Sequence, residues 1–300
     1  MQKVLITGSN GFIGGHVCDW LRKKNYFVIG LGRKQTSQKN VDDYISCDLG
    51  KDDLNDVIPL PLTDKIDAVI HLAADMRKEP DTIEVVKANC SGTEKLLEFC
   101  EKNKIATFIQ LSSLPVIGEP IEHPITEQHP IDPPTVYHVT KRTQELLANY
   151  AYKKFGLRTV SFRISAPVGI GMNSKTIFPV FVKSALNNKD IVLAGKGLRK
   201  QTYVHVDDIA QAIEKALHSS AQGVYNLASY NLLSNLELAK KCVEILSSDS
   251  KILYSGKEDP MDHFVWDVSL DKIKQDIGYE PKVTIETAIK EMGEYFKQTL

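Results

Sequence analysis

Along the first 165 residues, short runs of consecutive apolar residues alternate with longer stretches in which apolar positions recur every three or four. KVLIT (3–7) is β-rich and runs into glycines, and FIGGHVCDWLRKK (12–24) then takes up the helical period. YFVIGL (26–31) predicts a second strand. IDAVIHLAA (66–74) is a continuous rather than an alternating run, as expected of a buried strand with both faces covered. Residues 81–103 form a long amphipathic stretch. ATFIQLSS (106–113) predicts a strand, YHVTKRTQELLANYAYKKF (137–155) a helix stopped by Gly156, and LRTVSFRI (157–164) a further strand. This β–α–β rhythm predicts a parallel sheet with helices on both faces. Beyond residue 165 the pattern loosens. The Pro-rich stretch 115–134 and the segment 166–202 predict loops above the sheet. Residues 191–220 predict a turn, a strand and a helix capped by Asp207 or Asp208.

Composition narrows the function. Of 300 residues, 42% are apolar and 25% charged, as in a soluble globular protein. The net charge of −1 provides no basic field for nucleic acid or an anionic membrane. No apolar run approaches the ~20 residues that span a bilayer. The start, MQKVLITGSNG, predicts a strand and is too short in apolar residues for a signal peptide. The five cysteines (Cys18, Cys47, Cys90, Cys100, Cys242) are scattered, with no CxxC and no Cys/His cluster. That pattern predicts reduced thiols, a cytoplasmic setting and no metal site. Asp52, Asp53 and Asp56 predict a solvated helix start.

Two stretches carry candidate chemistry. In TGSNGFIG, Gly8, Gly11 and Gly14 lie between a strand and a helix that starts near Phe12. Glycine permits the tight turn, and the helix directs its positive end at a phosphate. The spacing differs by one residue from the dinucleotide fingerprint. The second predicted strand ends in GLGRK, with Gly32 where a ribose-binding acid would stand and Arg33 next. That favours a 2′-phosphate, and hence NADP over NAD. In YHVTK, Tyr137 and Lys141 are four apart and share a helical face. An ammonium near a phenol lowers the phenol's pKa and makes it a usable acid or base.

In their joint order these segments resemble the extended short-chain dehydrogenase/reductases, in the NAD-dependent epimerase/dehydratase branch, over nearly the whole chain. TGSNGFIG looks like the family's nucleotide turn, CDL (47–49) its adenine contact, and HLAA (71–74) the segment along the cofactor. NCSGT (89–93) looks like the helix carrying an organising Asn, and LSSLPVIG (111–118) like the serine segment, aligned on Gly118. RISAPVG (163–169), YVHVDDIAQAI (203–213) and DIGYEP (276–281) resemble later landmarks. The resemblance implies an α/β, Rossmann-type doubly wound parallel sheet over 1–165 plus part of 202–228. A smaller C-terminal substrate lobe would comprise 166–201 and 229–300. It implies catalytic Ser113, Tyr137 and Lys141. It also implies a cofactor held by Gly8, Gly11, Phe12, Ile13, Gly14, Arg33, Asp48, Leu49, Ala73, Ala74 and Asn89, with Tyr137 and Lys141. Lys141 would hold the nicotinamide ribose and lower the Tyr137 pKa. Tyr137 would move the proton, and Ser113 would bond the same substrate oxygen. Family members often dimerise through the helices of the Asn and of the Tyr–Lys pair, so a homodimer is expected.

The chain departs from the pattern at informative places. Leu114 and Pro115 stand where dehydratases carry an acidic pair, which disfavours sugar 4,6-dehydration. Ala166 replaces a frequent Asn. Gln201-Thr202-Tyr203 replaces an Arg-led motif that grips a diphosphate, and DPMDHFVWD (259–267) lacks the second arginine. Arg199 and Lys200 are nearby candidates for that role, although a lysine offers only a point charge. Arg77 is a candidate for an anionic substrate or for a rim salt bridge. Trp20 is expected in the core, Trp266 in packing or at a pocket wall, and His71 and His205 in structural roles. The expected function is NAD(P)-dependent hydride transfer at a nucleotide-sugar carbon, C4 first, as 4-ketoreductase or 4-epimerase. The alternatives are an NADP-dependent reductase of a steroid-like or flavonol-like ketone, and a dinucleotide sensor without turnover.

Overall fold

A computed structural model describes residues 1–59, 66–76 and 83–299. Its centre is a seven-stranded sheet built from β1 (Lys3–Thr7), β2 (Phe27–Gly32), β3 (Asp43–Ser46), β4 (Ala68–His71), β5 (Thr107–Ser113), β6 (Arg158–Ile164) and β10 (Gly223–Leu227). Every pair is parallel and the order is β10-β6-β5-β4-β1-β2-β3. The chain winds outward from β1 to β3, then returns to β4 on the other side. The loops leaving β1 and β4 therefore diverge, and a crevice opens at their carboxyl ends.

The continuous apolar runs follow from covering on both faces. Val4 and Ile6 of β1 enter one core with Val28, Ile70 and Ile109, while Leu5 between them enters another with Ile29, Val69 and Phe108. The first core is closed by α1 (Phe12–Lys23), through Val17 and Leu21, and by α7 (Val206–Leu217), through Ile209 and Ile213. The second is closed by α4 (Gly92–Lys102), through Leu96 and Phe99, and by Ala151 of α5 (Val136–Phe155). Between these lie the short α2 (Leu54–Val57) and α3 (Ile83–Val86).

A smaller unit carries a third core, in which Phe178, Tyr203, Leu238 and Ile289 meet. It contains a sheet in the order β11-β9-β7, from Leu232–Ser234, Lys200–His205 and Ala166–Val168. Two further strands, β8 (Ile191–Leu193) and β12 (Ile252–Tyr254), pair in parallel. The helices are α6 (Ile177–Leu186), α8 (Asn235–Ile245), α9 (Asp271–Ile277), which packs on the first core, and α10 (Ile285–Thr299).

Several expectations need correcting. The strand expected over 66–74 ends at His71, because the Leu72 and Ala73 amides turn to the Thr7 hydroxyl at 3.2 and 3.1 Å. The sequence pattern gave no sign of β3, only four residues long and fully buried only at Ile45. Segment 166–202 is not all loop: helix and strand make up about half of it. The cap of α7 is His205, whose Nδ1 accepts the Asp207 N–H; Asp207 and Asp208 lie in the first turn. Asp208 is buried and accepts the Lys282 and Val283 amides at 2.9 and 3.1 Å, fastening the C-terminal segment. As expected, Trp20 packs on the first core, where it donates to Glu214 at 2.8 Å, and Trp266 packs partly buried on the same core. Asp53 caps α2 by accepting the Asn55 N–H, while Asp52 accepts that of Asp48. Among the described residues no helix is long and apolar enough to cross a membrane, and no group of three or more His, Cys, Asp or Glu could hold a metal ion.

Candidate active site

The crevice begins with the turn after β1. Gly8 has φ +70°, and a Cβ there would stand 2.7 Å from the Ala73 nitrogen. Gly14 lets α1 approach the turn closely: a Cβ there would lie 2.1 Å from the Gly8 carbonyl oxygen, which already accepts the Gly11 N–H at 2.8 Å. Gly11 caps α1 without a side-chain bond. The helix's first N–H groups are thus left for an anion. Above the turn lies a cleft of about 290 Å³, lined by Gly8, Gly11, Arg33, Asp48, Leu49, Ala73, Ala74 and Asn89 among others. Phe12, Ile13 and Gly14 form the first turn of α1 beside it. Arg33 and Lys34 both reach the cleft, and no carboxylate stands at Gly32, the last residue of β2. Asn10 holds their loop in place, accepting the Gln38 N–H at 2.7 Å and donating to Tyr44 Oη at 3.0 Å.

Between α3 and α4 the coil widens into a π-helical turn, Lys87–Ser91, which contains Asn89. Such turns recur at functional sites. Here the Asn89 carbonyl accepts Thr93 Oγ1 at 2.7 Å and Gln144 Nε2 at 3.2 Å. Asn89 is 2% exposed. Oδ1 accepts the Asp75 N–H at 2.7 Å, and Nδ2 donates to the Asp75 carbonyl at 3.3 Å and to Thr140 Oγ1 at 3.0 Å. Asn89 therefore ties the segment after β4 to α5, between Tyr137 and Lys141, and is not satisfied within its own helix. His71 joins the same network through Thr7, Thr93 and Gln144. Burial, with a smaller contribution from the Lys141 charge, pushes its pKa down to about 3, so it is a neutral, structural imidazole.

Ser113 ends β5, paired in register with Ile164. Tyr137 lies in the first turn of α5, which Thr135 caps by accepting the His138 N–H. Lys141 is 3% exposed, and its ammonium donates to the Leu111 carbonyl at 2.8 Å, 5.8 Å from the centre of the Tyr137 ring. The expected lowering of the Tyr137 pKa is not present in this arrangement. Burial raises it to about 12. The buried ammonium spends itself on the β5 carbonyl, and burial brings its own pKa down to about 8.

Of the diphosphate substitutes, Arg199 faces Asp259, with Nε 3.7 Å from Oδ2, and Lys200 is exposed. Asp262 accepts the Lys196 and Leu198 amides at 2.8 and 2.7 Å, so the segment without the second arginine shapes this loop instead. Leu114 is buried in a 3₁₀ turn over Leu114–Ile117, where an acidic pair would have stood. Arg77 lies outside the described residues. The sequence reading missed Asn10, Lys34, Gln144 and Glu145. Lys34 adjoins Arg33, and Glu145 continues the four-residue spacing of Tyr137 and Lys141, so both carried a usable signal.

Residues 4–228 match the model of the NAD dependent epimerase/dehydratase family. A dTDP-D-glucose 4,6-dehydratase of Dictyostelium discoideum is 30% identical over 273 residues, covering 82% of this chain and 62% of the relative, so the chain spans less than two thirds of that protein's length. The structure of a UDP-N-acetylglucosamine 4-epimerase from Methanobrevibacter ruminantium, in complex with UDP-N-acetylmuramic acid, superposes with a TM-score of 0.89 at 25% identity, over 100% of this chain and 99% of that one. A UDP-glucuronic acid 4-epimerase from Bacillus cereus, in complex with UDP-glucuronic acid and NAD, superposes at 0.83 with 25% identity, over 100% of both chains.

Proposed function

The chain belongs to the NAD-dependent epimerase/dehydratase family, and from that premise we propose that it transfers hydride at C4 of a nucleotide sugar, in the direction that reduces a 4-keto group. The observation that carries this reading is the buried Lys141 beneath Tyr137, on the helix facing the Ser113 end of β5. Bound NAD(P) supplies the hydride acceptor or donor. The protein orients the substrate and manages the proton. Raised to about 12, the Tyr137 phenol is protonated at neutral pH and suits proton donation to a carbonyl oxygen. Ser113 bonds the same oxygen and sets its direction. The first turn of α1, with Gly11, Phe12 and Ile13, takes the pyrophosphate, and Asp48 and Leu49 take the adenine. Residues 166–201 and 229–300 hold the sugar nucleotide.

Arg33 and Lys34 at the cleft, without an acid at Gly32, favour the 2′-phosphate of NADP. The second reading, 4-epimerisation with NAD, is favoured by the two epimerases that share the fold, one of them in complex with NAD. Fluorescence titration with NADPH and NADH, followed by turnover with UDP-, dTDP- and GDP-sugars and their 4-keto forms, separates the two. Preferential NADPH binding and consumption with a 4-keto sugar is expected. Equal affinities would refute the role given to Arg33, and C4 inversion without net NADPH consumption would favour the second reading.

We also infer a homodimer. Val139, Leu146 and Tyr150 are about half exposed and form one stripe on α5. Sedimentation should give twice the chain mass of 33.5 kDa, and a single-chain mass at micromolar concentration would refute it.

A further inference from the structure

One turn beyond Lys141 on α5 stands Glu145, with no exposed side-chain surface. Its carboxylate accepts four bonds: Ser112 Oγ at 2.6 Å, Arg163 Nε and Nη2 at 2.9 Å each, and Arg142 Nη1 at 2.8 Å. Ser112 adjoins Ser113 and is paired in register with Arg163, itself 2% exposed. A single carboxylate thus joins the ends of β5 and β6 to the helix of Tyr137 and Lys141.

The charges make this more than a brace. Lys141 and Arg163 are both buried cations. Among the described residues, the ionisable groups around Lys141 are Tyr137 and Glu145 on α5, His71 on β4 and Cys90 on the π-helical turn, with Arg163 on β6 joined to them through Glu145. The Tyr137 phenol, the His71 imidazole and the Cys90 thiol are neutral at neutral pH, the last because burial raises its pKa. Of these groups, only Glu145 carries negative charge. Its pKa is held low, against its own burial, by the bonds and charge of Arg163 and by Ser112 and Arg142.

We propose that Glu145 is a positioning residue for hydride transfer, which fixes the strand end presenting Ser113 and keeps the buried Lys141 ammonium charged. The proposal rests on the reading that Ser113, Tyr137 and Lys141 are the reacting groups. Removing a neighbouring anion disfavours an ammonium, whereas removing a neighbouring cation favours it.

The test is the titration of Lys141 in the full-length protein, followed by NMR of ¹³Cε-labelled lysine and assigned with Lys141→Met. The wild-type midpoint should lie near 8. In Glu145→Gln it should fall by about one pH unit, the scale of a nearby charge. In Arg163→Met it should rise, and in the double variant, which leaves no buried arginine stripped of its carboxylate, it should stay below wild type. An unmoved midpoint in Glu145→Gln, or shifts of the same sign in both single variants, would overturn the proposal. If Glu145→Gln does not fold, the double variant decides. Failure of both to fold would reduce Glu145 to a structural brace and end the proposal. The two failures are distinguishable: hydride transfer surviving in Tyr137→Phe ends the reading of the site, whereas an unmoved Lys141 midpoint ends only the role of Glu145.

Discussion

Tyr137→Phe is expected to lower turnover by roughly 10²- to 10⁴-fold, the usual contribution of a positioned acid or base, while cofactor binding stays unchanged. The substitution removes one oxygen. The ring stays in the first turn of α5, and Lys141 keeps its bond to the Leu111 carbonyl. An interaction made only as the proton moves appears in kcat, not in the affinity for NADPH. Steady-state rates beside a fluorescence titration of the cofactor measure both. A fall in rate matched by an equal loss of cofactor affinity would mean that the phenol is a binding group. An unchanged rate would return the site to the dinucleotide-sensor alternative.

Gly14→Ala should disrupt the cofactor cleft and cost roughly 3 kcal/mol of stability, at the upper end of what overpacking costs. Alanine is the better helix former by about 1 kcal/mol, so helix propensity alone predicts the opposite sign. The new methyl would lie 2.1 Å from the Gly8 carbonyl oxygen and 2.8 Å from its carbon. Both are backbone atoms, and the Gly11 N–H bond to that oxygen shapes the turn. Neither can step aside without opening the place where α1 meets the cleft. Gly156→Ala is the comparison. Gly156 ends α5 at φ +73° with nothing within 4 Å of a Cβ, so only the conformational cost of about 1 kcal/mol remains. Urea midpoints and NADPH affinity for the two variants should separate widely; equal midpoints would contradict the tight helix–turn approach.

How legible each part was in the sequence depended on the range of the interaction. KVLIT, ATFIQLSS and LRTVSFRI announced themselves because each is short, rich in β-branched and aromatic residues, and followed or preceded by turn or helix signals. The helix over 136–155 carried its own period and its stopping glycine. DYIS did not, because so short a strand is held by pairing with β2, a contact 14 residues away in sequence. The helix cap at His205 was misplaced because Asp207 and Asp208 are good caps in isolation. Asp208 is drawn instead to the amides of Lys282 and Val283, 74 and 75 residues on.

Spacing determined which groups could share a helical face, and glycine positions determined where backbone could approach a phosphate. These follow from local geometry and are written in the chain. The state of those groups came only from tertiary structure. Proximity of Tyr137 and Lys141 implied a lowered phenol pKa, yet packing half-buries the phenol, buries the ammonium and turns it to a β5 carbonyl. The balance between desolvation and charge is set by what surrounds a side chain in three dimensions, including a carboxylate that β5, β6 and α5 enclose together.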